Sequence, residues 1–250
     1  MRCALLGLLL IACSARSFAA PTARTITFAA ADGVTVTADV YAPHPATAPL
    51  IVLFHQAGYS RGEYREIAPR LNQLGFNCLA VDQRSGKAVN GVVNATAAAA
   101  RKLGKPTSYL EAIADMRAAI AMARKDLVRG RLVLWGSSYS SSLVLVLAGD
   151  PAIAADAVLA FSPGEYFDDL GKPAGWVASA AQQLRIPTFI TSARDEVSSW
   201  KAIAQGVDPA RLTTFVPTTE GHHGARALWA SQPDNEACWK AVSAFLGKLR

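Results

Sequence analysis

Short apolar runs recur along the chain, separated by segments with helical spacing or by loops rich in glycine and proline. Continuous runs of this kind are typical of strands that are buried on both faces. Such strands are predicted at 50–54, 76–82, 131–135, 157–161, 188–191 and 212–216. Two earlier segments, 25–28 and 34–41, alternate apolar with polar or small residues around Gly33, which predicts an antiparallel hairpin.

Helices are predicted between these strands. Helical spacing of apolar residues covers 64–74, 108–125, 139–148, 198–205 and 234–249. Ser108 and Glu111 have the spacing of a capping box. Residues 83–107 are predicted to form a long polar and alanine-rich connection, and 162–186 to be irregular or weakly helical. Alternation of strands and helices from Leu50 onward predicts an α/β fold, a mostly parallel sheet with helices on both faces. We find no internal repeat or linker, so 20–250 is predicted to be a single domain.

Composition and charge agree with a folded enzyme-sized domain. Apolar residues make up 51% of the chain and charged residues 18%, which favours a sizeable core over disorder. The net charge of +6 comes from scattered basic residues, so it indicates solubility and no nucleic-acid partner. No cysteine or histidine spacing suggests a metal site, and no cofactor is implied.

The first 19 residues resemble a secretory signal peptide. Arg2 precedes an apolar run, 4–12, that is too short to span a bilayer, and small residues suit a cut after Ala19. An alternative is a lipobox ending at Cys13, which would become a lipid-anchored N-terminus, and an uncleaved anchor is a third possibility. Cleavage after Ala19 predicts an exported protein, periplasmic or secreted, and the lipobox alternative predicts a lipoprotein anchored at Cys13.

Two cysteines, Cys78 and Cys238, would remain after cleavage. They could pair in an oxidising compartment. Two separate buried thiols are the alternative, and the sequence leaves both open because it does not give the distance between them.

A candidate nucleophile lies where the predicted strand 131–135 meets an apolar helix. Gly136-Ser137-Ser138-Tyr139-Ser140 nearly repeats the G-x-S-x-G turn that raises a serine at the end of a sheet. Ser140 stands where the second glycine is expected. A serine-rich turn without chemistry is the alternative; the nucleophile hypothesis assigns the role to Ser138.

A serine nucleophile needs a base, and the chain has four histidines. In the α/β-hydrolase arrangement the base follows both the serine and the acid in the sequence. His44 and His55 precede Ser138, which leaves His222 and His223, directly after the last predicted strand. 

The acid is expected after an intervening strand. Asp195 follows the strand 188–191 and is the first choice. It could instead cap the next helix, a role that Glu196 fits better. Three acids after the previous strand are further candidates: Glu165, Asp168 and Asp169.

An oxyanion formed during acyl transfer needs preorganised donors. The backbone N–H of Tyr139 is one candidate, and the loop 55–58 after the first central strand is the expected source of another. His55 in this loop is interpreted as a structural histidine.

These residues together resemble α/β-hydrolases of the small serine esterase and dienelactone-hydrolase-like sort. The resemblance covers about residues 25–250 and rests on the turn around Ser138 and three further motifs: His55-Gln56-Ala57-Gly58, Arg194-Asp195-Glu196-Val197 and His223-Gly224. It implies Ser138 as nucleophile, Asp195 as acid and His223 as base. It also implies Ala57 as an oxyanion donor, with Gln56 next in line, and a structural Asp-x-Arg at Asp82–Arg84.

Two departures from that family are visible. Ser140 replaces a glycine of the serine turn, and Gln56 replaces the usual glycine after His55. Dienelactone hydrolases proper use a cysteine nucleophile, and neither Cys78 nor Cys238 lies at such a turn. The expected function is therefore hydrolysis of small-molecule carboxylic esters through an acyl-enzyme. A serine peptidase or amidase, or a non-catalytic binding protein on the same scaffold, remains the alternative.

Overall fold

The computed structural model describes residues 23–250, so the predicted signal peptide and Cys13 lie outside the described residues. Eight strands form one sheet in the order β1-β2-β4-β3-β7-β8-β9-β10. The strands are β1 Arg24–Ala29, β2 Thr35–Tyr41, β3 Leu50–Phe54, β4 Asn77–Val81, β7 Leu132–Ser137, β8 Ala157–Phe161, β9 Thr188–Thr191 and β10 Leu212–Phe215. A separate small hairpin pairs β5 Ala88–Val89 with β6 Val92–Val93.

Among the eight strands of the large sheet, β2 alone runs in the opposite direction. β1 and β2 pair antiparallel, and β2 is antiparallel to β4. From β4 to β10, every neighbouring pair is parallel. The prediction of a mostly parallel sheet with an antiparallel hairpin at one edge is confirmed.

Helices cover both faces of the sheet. They are α1 Ile67–Gln73, α2 Ala95–Lys102, α3 Ala112–Met122, α4 Tyr139–Ala148, α5 Trp176–Ala181, α6 Val197–Gly206 and α7 Asn235–Gly247. Along β3, Val52 and Phe54 pack with the cluster that contains α3 and α4, while Ile51 and Leu53 pack with the cluster of α1 and α7. The period of two along a strand thus fills two cores at once, which explains the continuous apolar runs.

Several predicted boundaries are wrong. The connection 83–107 contains α2 and the β5–β6 hairpin, which the alanine-rich sequence did not reveal. The predicted helix 64–74 is divided into a 3₁₀ turn, Arg61–Tyr64, and α1. Ser108 does not cap a helix: its hydroxyl donates to the carboxylate of Glu111, and α3 begins only at Ala112.

The Asp-x-Arg segment after β4 has the structural role that the resemblance implied. Arg84 is buried and forms ion pairs with Asp115 of α3, at 2.7 Å, and with Asp32 of the β1–β2 turn, at 2.6 Å. Asp82 pairs with Arg61 at 2.8 Å. These contacts fix the end of β4 against both the N-terminal hairpin and the 3₁₀ turn.

Cys78 on β4 and Cys238 on α7 are both buried and free, so they form two separate thiols. Burial raises the pKa of the Cys238 thiol to about 12. No helix within residues 23–250 has the length and apolar character needed to cross a membrane.

Candidate active site

Ser138 occupies a sharp turn between the end of β7 and the start of α4. Its backbone has φ 57° and ψ −128°, a conformation that non-glycine residues rarely adopt. Its N–H donates to the carbonyl of Phe161 on β8 at 2.8 Å, and the residue is only 8% exposed. A Cβ on Gly136 would lie 2.4 Å from the carbonyl oxygen of Ser140, so the strand and helix approach too closely for any other residue there.

Ser140 replaces the second glycine of the motif and is fully buried. Its Oγ lies 2.8 Å from the carbonyl oxygen of Phe54, to which it donates, and it accepts from the N–H of Ser137 at 2.9 Å. The hydroxyl therefore joins the ends of β3 and β7 beneath the turn. This explains why a serine fits there: its hydroxyl gives the N–H of Ser137 an acceptor and gives the carbonyl of Phe54 a second donor beside the hydroxyl of Tyr64, at 2.6 Å.

His223 lies in the loop after β10, and its Nδ1 is hydrogen-bonded to a carboxylate oxygen of Glu196. The other carboxylate oxygen of Glu196 accepts from the hydroxyl of Ser162 at 2.6 Å and from the N–H of Ala193 at 3.2 Å. Ser162 in turn accepts from the N–H of Gly224 at 2.9 Å. The carboxylate thus holds both the ring and the backbone of the histidine loop.

The sequence predicts Asp195 as the partner of His223, and in the structure the partner is the next residue, Glu196. Asp195 is exposed, whereas Glu196 is half-buried and faces the histidine. Both residues belong to a 3₁₀ turn, Arg194–Glu196, in which successive side chains point about 120° apart. Burial raises the pKa of Glu196, but the hydrogen bonds from His223 and Ser162 lower it more. The pKa is therefore below its usual value, and the carboxyl is ionised.

The other candidate acids and bases lie elsewhere. Glu165 accepts from the N–H groups of Val177 and Ala178 at the start of α5, and Asp168 and Asp169 are exposed. His222 faces Asp234 at 3.5 Å.

The loop after β3 is fixed by His55, as its structural interpretation predicted. The ring Nε2 accepts from the N–H of Gln83 at 2.9 Å, and Nδ1 donates to the carbonyl of Gln56 at 2.8 Å. Burial lowers the pKa of His55, which keeps the ring neutral. Because the N–H and C=O of one peptide unit point in opposite directions, holding the Gln56 carbonyl directs the N–H of Ala57 away from His55.

Of the predicted oxyanion donors, two are available and one is engaged. The N–H groups of Ala57 and Tyr139 have no hydrogen-bond acceptor within residues 23–250. The N–H of Gln56 instead donates to the carboxylate of Glu63 at 2.8 Å, so the expectation for Gln56 is wrong. 

The turn and the histidine loop meet through the neighbours of Ser138 and His223. The N–H of Ala225 donates to the hydroxyl of Ser137 at 2.8 Å, and the hydroxyl of Ser137 donates to Glu63 at 2.7 Å. No hydrogen bond joins the hydroxyl of Ser138 to His223 in the described part of the chain. Such bonds are often long before a substrate is bound.

Aromatic residues surround the turn. The ring of Tyr109 stacks on that of Tyr139 at 4.5 Å between centroids, and Tyr59 stacks with Trp229 at 6.0 Å. The hydroxyl of Tyr166 donates to the carbonyl of Ser162 at 2.8 Å, and burial raises its pKa to about 12. Phe167 and Trp176 pack on each other edge to face, at 5.2 Å between ring centroids.

Sequence reasoning missed Glu63 and Ser162 in this site. Neither belongs to a motif, and their partners are distant in the chain, as with the 74 residues that separate Glu63 from Ser137. Ser162 directly follows β8, at the carboxyl edge of the sheet where ligand sites form, and that position was the only available signal.

Comparison of the structure with solved structures finds an esterase from Pyrococcus furiosus with a TM-score of 0.70 and 18% identity, which covers 91% of this chain and 93% of the esterase. The chain has the α/β-hydrolase fold. A dienelactone hydrolase from Anabaena variabilis has a TM-score of 0.68 at 16% identity, over 93% of this chain and all of the other. A dipeptidyl peptidase 4 from Porphyromonas gingivalis has a TM-score of 0.65 at 13% identity, with 93% of this chain matched to 36% of the peptidase. No family model and no curated protein sequence matches the chain.

These structures have the same fold as the chain at 13–18% sequence identity. They therefore establish the fold, and the reaction has to be inferred from the geometry of the site. Within residues 23–250 no group of three cysteine, histidine or acidic side chains is arranged to hold a metal ion. 

Proposed function

We propose that the protein is a serine hydrolase that cleaves small-molecule carboxylic esters, with Ser138 as nucleophile, His223 as base and Glu196 as the acid that orients the base. The observation that carries the proposal is the His223–Glu196 hydrogen bond beside a serine held at positive φ. A serine in a strained turn, a half-buried acid and a histidine, in this chain order, form the set that acyl transfer requires.

In the proposed reaction the Oγ of Ser138 attacks the ester carbonyl carbon while its proton passes to Nε2 of His223. The N–H groups of Ala57 and Tyr139 stabilise the negative charge that develops on the carbonyl oxygen. The protonated ring then gives its proton to the leaving alcohol, and the C–O bond breaks. Glu196 accepts a hydrogen bond from Nδ1 throughout and stabilises the charged ring.

Hydrolysis of the acyl-enzyme repeats these steps with water in place of the serine. His223 takes a proton from the water as its oxygen attacks the acyl carbon, and the ring returns that proton to Ser138 as the acid leaves. No cofactor is required by this scheme.

Ester over amide is proposed on the resemblance of the motifs and on the esterase and dienelactone hydrolase neighbours. A peptidase or amidase on the same residues is the alternative, and the test must separate the two. p-Nitrophenyl esters of increasing acyl length and the matching p-nitroanilides should be assayed with wild type, Ser138→Ala and the exposed-serine control Ser199→Ala.

We expect ester hydrolysis by wild type and Ser199→Ala, with loss in Ser138→Ala. Faster cleavage of the anilides would favour the amidase alternative. Hydrolysis that persists in Ser138→Ala would refute the assigned nucleophile, and no hydrolysis of any substrate would favour a non-catalytic binding protein.

We also propose, from the N-terminal sequence pattern, that the protein is exported and that cleavage follows Ala19. Mass spectrometry of the mature N-terminus tests this. An unmodified start at Ala20 is the expected result, and a lipidated Cys13 would establish the lipobox alternative.

A further inference from the structure

Glu63 is a fully buried carboxylate at the centre of the candidate site, and the reaction proposed above does not use it. It lies on the 3₁₀ turn Arg61–Tyr64 and forms no ion pair with any residue in 23–250. Burial raises its pKa to about 7, against the lowering effect of its hydrogen bonds and of the charges on His223 and Arg226. A charged group buried without a counter-ion is costly, so its presence needs an explanation from its contacts.

The two oxygens of Glu63 connect three loops. Oε2 accepts from the N–H of Gln56, at 2.8 Å, in the loop after β3. Oε1 accepts from the hydroxyl of Ser137, at 2.7 Å, at the end of β7. The same hydroxyl accepts from the N–H of Ala225, at 2.8 Å, in the loop after β10. One carboxylate therefore orders the three segments that converge at the carboxyl edge of the sheet.

The three residues in this hydrogen-bond network are close in the chain to residues that the proposed reaction uses. Gln56 directly precedes Ala57, whose N–H is a proposed oxyanion donor. Ser137 directly precedes Ser138, and Ala225 is two residues after His223. The backbone around Gln56 is held on both sides, because its carbonyl accepts from the Nδ1–H of His55 at 2.8 Å and from the N–H of Tyr59 at 3.2 Å.

We propose that Glu63 is a positioning residue that sets the oxyanion loop and the histidine loop relative to Ser138. The inference rests on the proposed function, since it concerns the geometry of that same reaction. Glu63 forms no hydrogen bond with Ser138 or His223, and its effect passes through the Gln56–Ala57 backbone and through the Ser137 hydroxyl. Small displacements of oxyanion donors cost large factors in rate, so a carboxylate held at this junction controls kcat more than substrate binding.

Two substitutions at Glu63 remove its hydrogen bonds in part or completely. Glu63→Gln keeps the shape and one acceptor oxygen, which can retain the bond from Gln56, but it places an NH₂ group at Ser137. Glu63→Ala removes both acceptors. The matched control is Glu66→Gln, since Glu66 lies three residues further on and accepts a backbone N–H from Ala230, at 2.9 Å, near the surface.

The measurement is the second-order rate of labelling by a fluorophosphonate, together with kcat and KM for a p-nitrophenyl ester. We expect labelling and kcat to fall about 10²-fold in Glu63→Ala and about tenfold in Glu63→Gln, with KM changed less than about threefold. Glu66→Gln should match wild type. Partial rescue by glutamine and an effect confined to kcat are not expected of a residue that only supports folding.

Wild-type rates in Glu63→Gln and Glu63→Ala would overturn the inference and leave the proposed function intact. If Glu63→Ala does not fold, Glu63→Gln decides alone: a tenfold loss in kcat at unchanged KM supports the inference, and a wild-type kcat overturns it. Failure of the proposed function looks different, because wild type itself would then not label at Ser138, and the role assigned to Glu63 would fall with it.

Discussion

The Nδ1 of His223 is hydrogen-bonded to Glu196, whereas Asp195, the preceding residue, is exposed. The 3₁₀ turn after β9 directs the side chain of Glu196 back towards the sheet. There it meets both the histidine ring and the hydroxyl of Ser162. The direction of each side chain in this 3₁₀ turn therefore determines that Glu196, and not Asp195, is the acid of the candidate site.

Glu196→Gln should lower kcat/KM for an ester about 10³-fold or more, because an amide no longer stabilises the protonated ring of His223. Asp195→Asn is the matched control, one residue away and of the same type of change. It should retain activity within about twofold, since the side chain has no contact with the histidine. Steady-state kinetics of both variants check this, and a larger loss in Asp195→Asn than in Glu196→Gln would contradict the assignment.

Some strands and helices can be predicted from the sequence and others cannot. The strands follow from apolar runs such as Leu50–Phe54, because a strand covered on both faces leaves no polar position. α2 could not be predicted in the same way, since Ala95–Lys102 has many small residues and few large apolar ones.

In the candidate site, too, some residues can be predicted from the sequence and others cannot. Ser138 and His223 could be selected from the sequence because a motif and the chain order restrict them to a few positions. The choice between Asp195 and Glu196 depends on side-chain direction within a 3₁₀ turn, which adjacent positions in a sequence do not specify. Glu63 depends on contacts between distant segments, and no local pattern encodes these.

Ser140→Ala should destabilise the protein by about 1–3 kcal/mol, because the buried N–H of Ser137 would lose the hydroxyl that accepts from it and the carbonyl of Phe54 would keep only the bond from Tyr64. The exposed Ser199→Ala on α6 is the control and should lie within about 0.5 kcal/mol of wild type. Urea unfolding measures both. Equal stability of Ser140→Ala and wild type would show that the hydroxyl contributes nothing.

Gly136→Ala should lose more than about 3 kcal/mol or fail to fold, because its Cβ would lie 2.4 Å from the carbonyl oxygen of Ser140. Gly247→Ala at the end of α7 is the control, since a Cβ there meets nothing within 4 Å. That change should be neutral or stabilising by up to about 1 kcal/mol. Thermal unfolding compares the two, and a Gly136→Ala variant as stable as wild type would refute the close approach of strand and helix.

Glu63 should make stability fall as the pH rises. Its pKa is raised from an ordinary value of 4.5 to about 7 in the folded protein, chiefly by burial. Between these values the folded state holds a proton that the unfolded state has lost, so folding weakens by about 3 kcal/mol across the interval and the penalty is constant above it. The groups that face Glu63 are Ser137, His223, Arg226 and the N–H of Gln56.

The measurement is the free energy of unfolding of Glu63→Gln minus that of wild type, at several values between pH 4.5 and 8. We expect this difference to rise with pH up to about 7 and then level off, because glutamine does not titrate. The Glu66→Gln control should show no such rise. A difference independent of pH would mean that the folded-state pKa of Glu63 is close to normal.

The central claim is that Ser138 is a nucleophile activated by His223, and covalent labelling tests it most directly. Wild-type protein treated with a fluorophosphonate should gain one adduct, and peptide mapping by mass spectrometry should locate it on Ser138. Ser138→Ala should remain unlabelled, and His223→Ala should label more slowly by at least about 10³-fold. An adduct on another residue, equal labelling of Ser138→Ala and wild type, or no labelling of wild type would contradict the account.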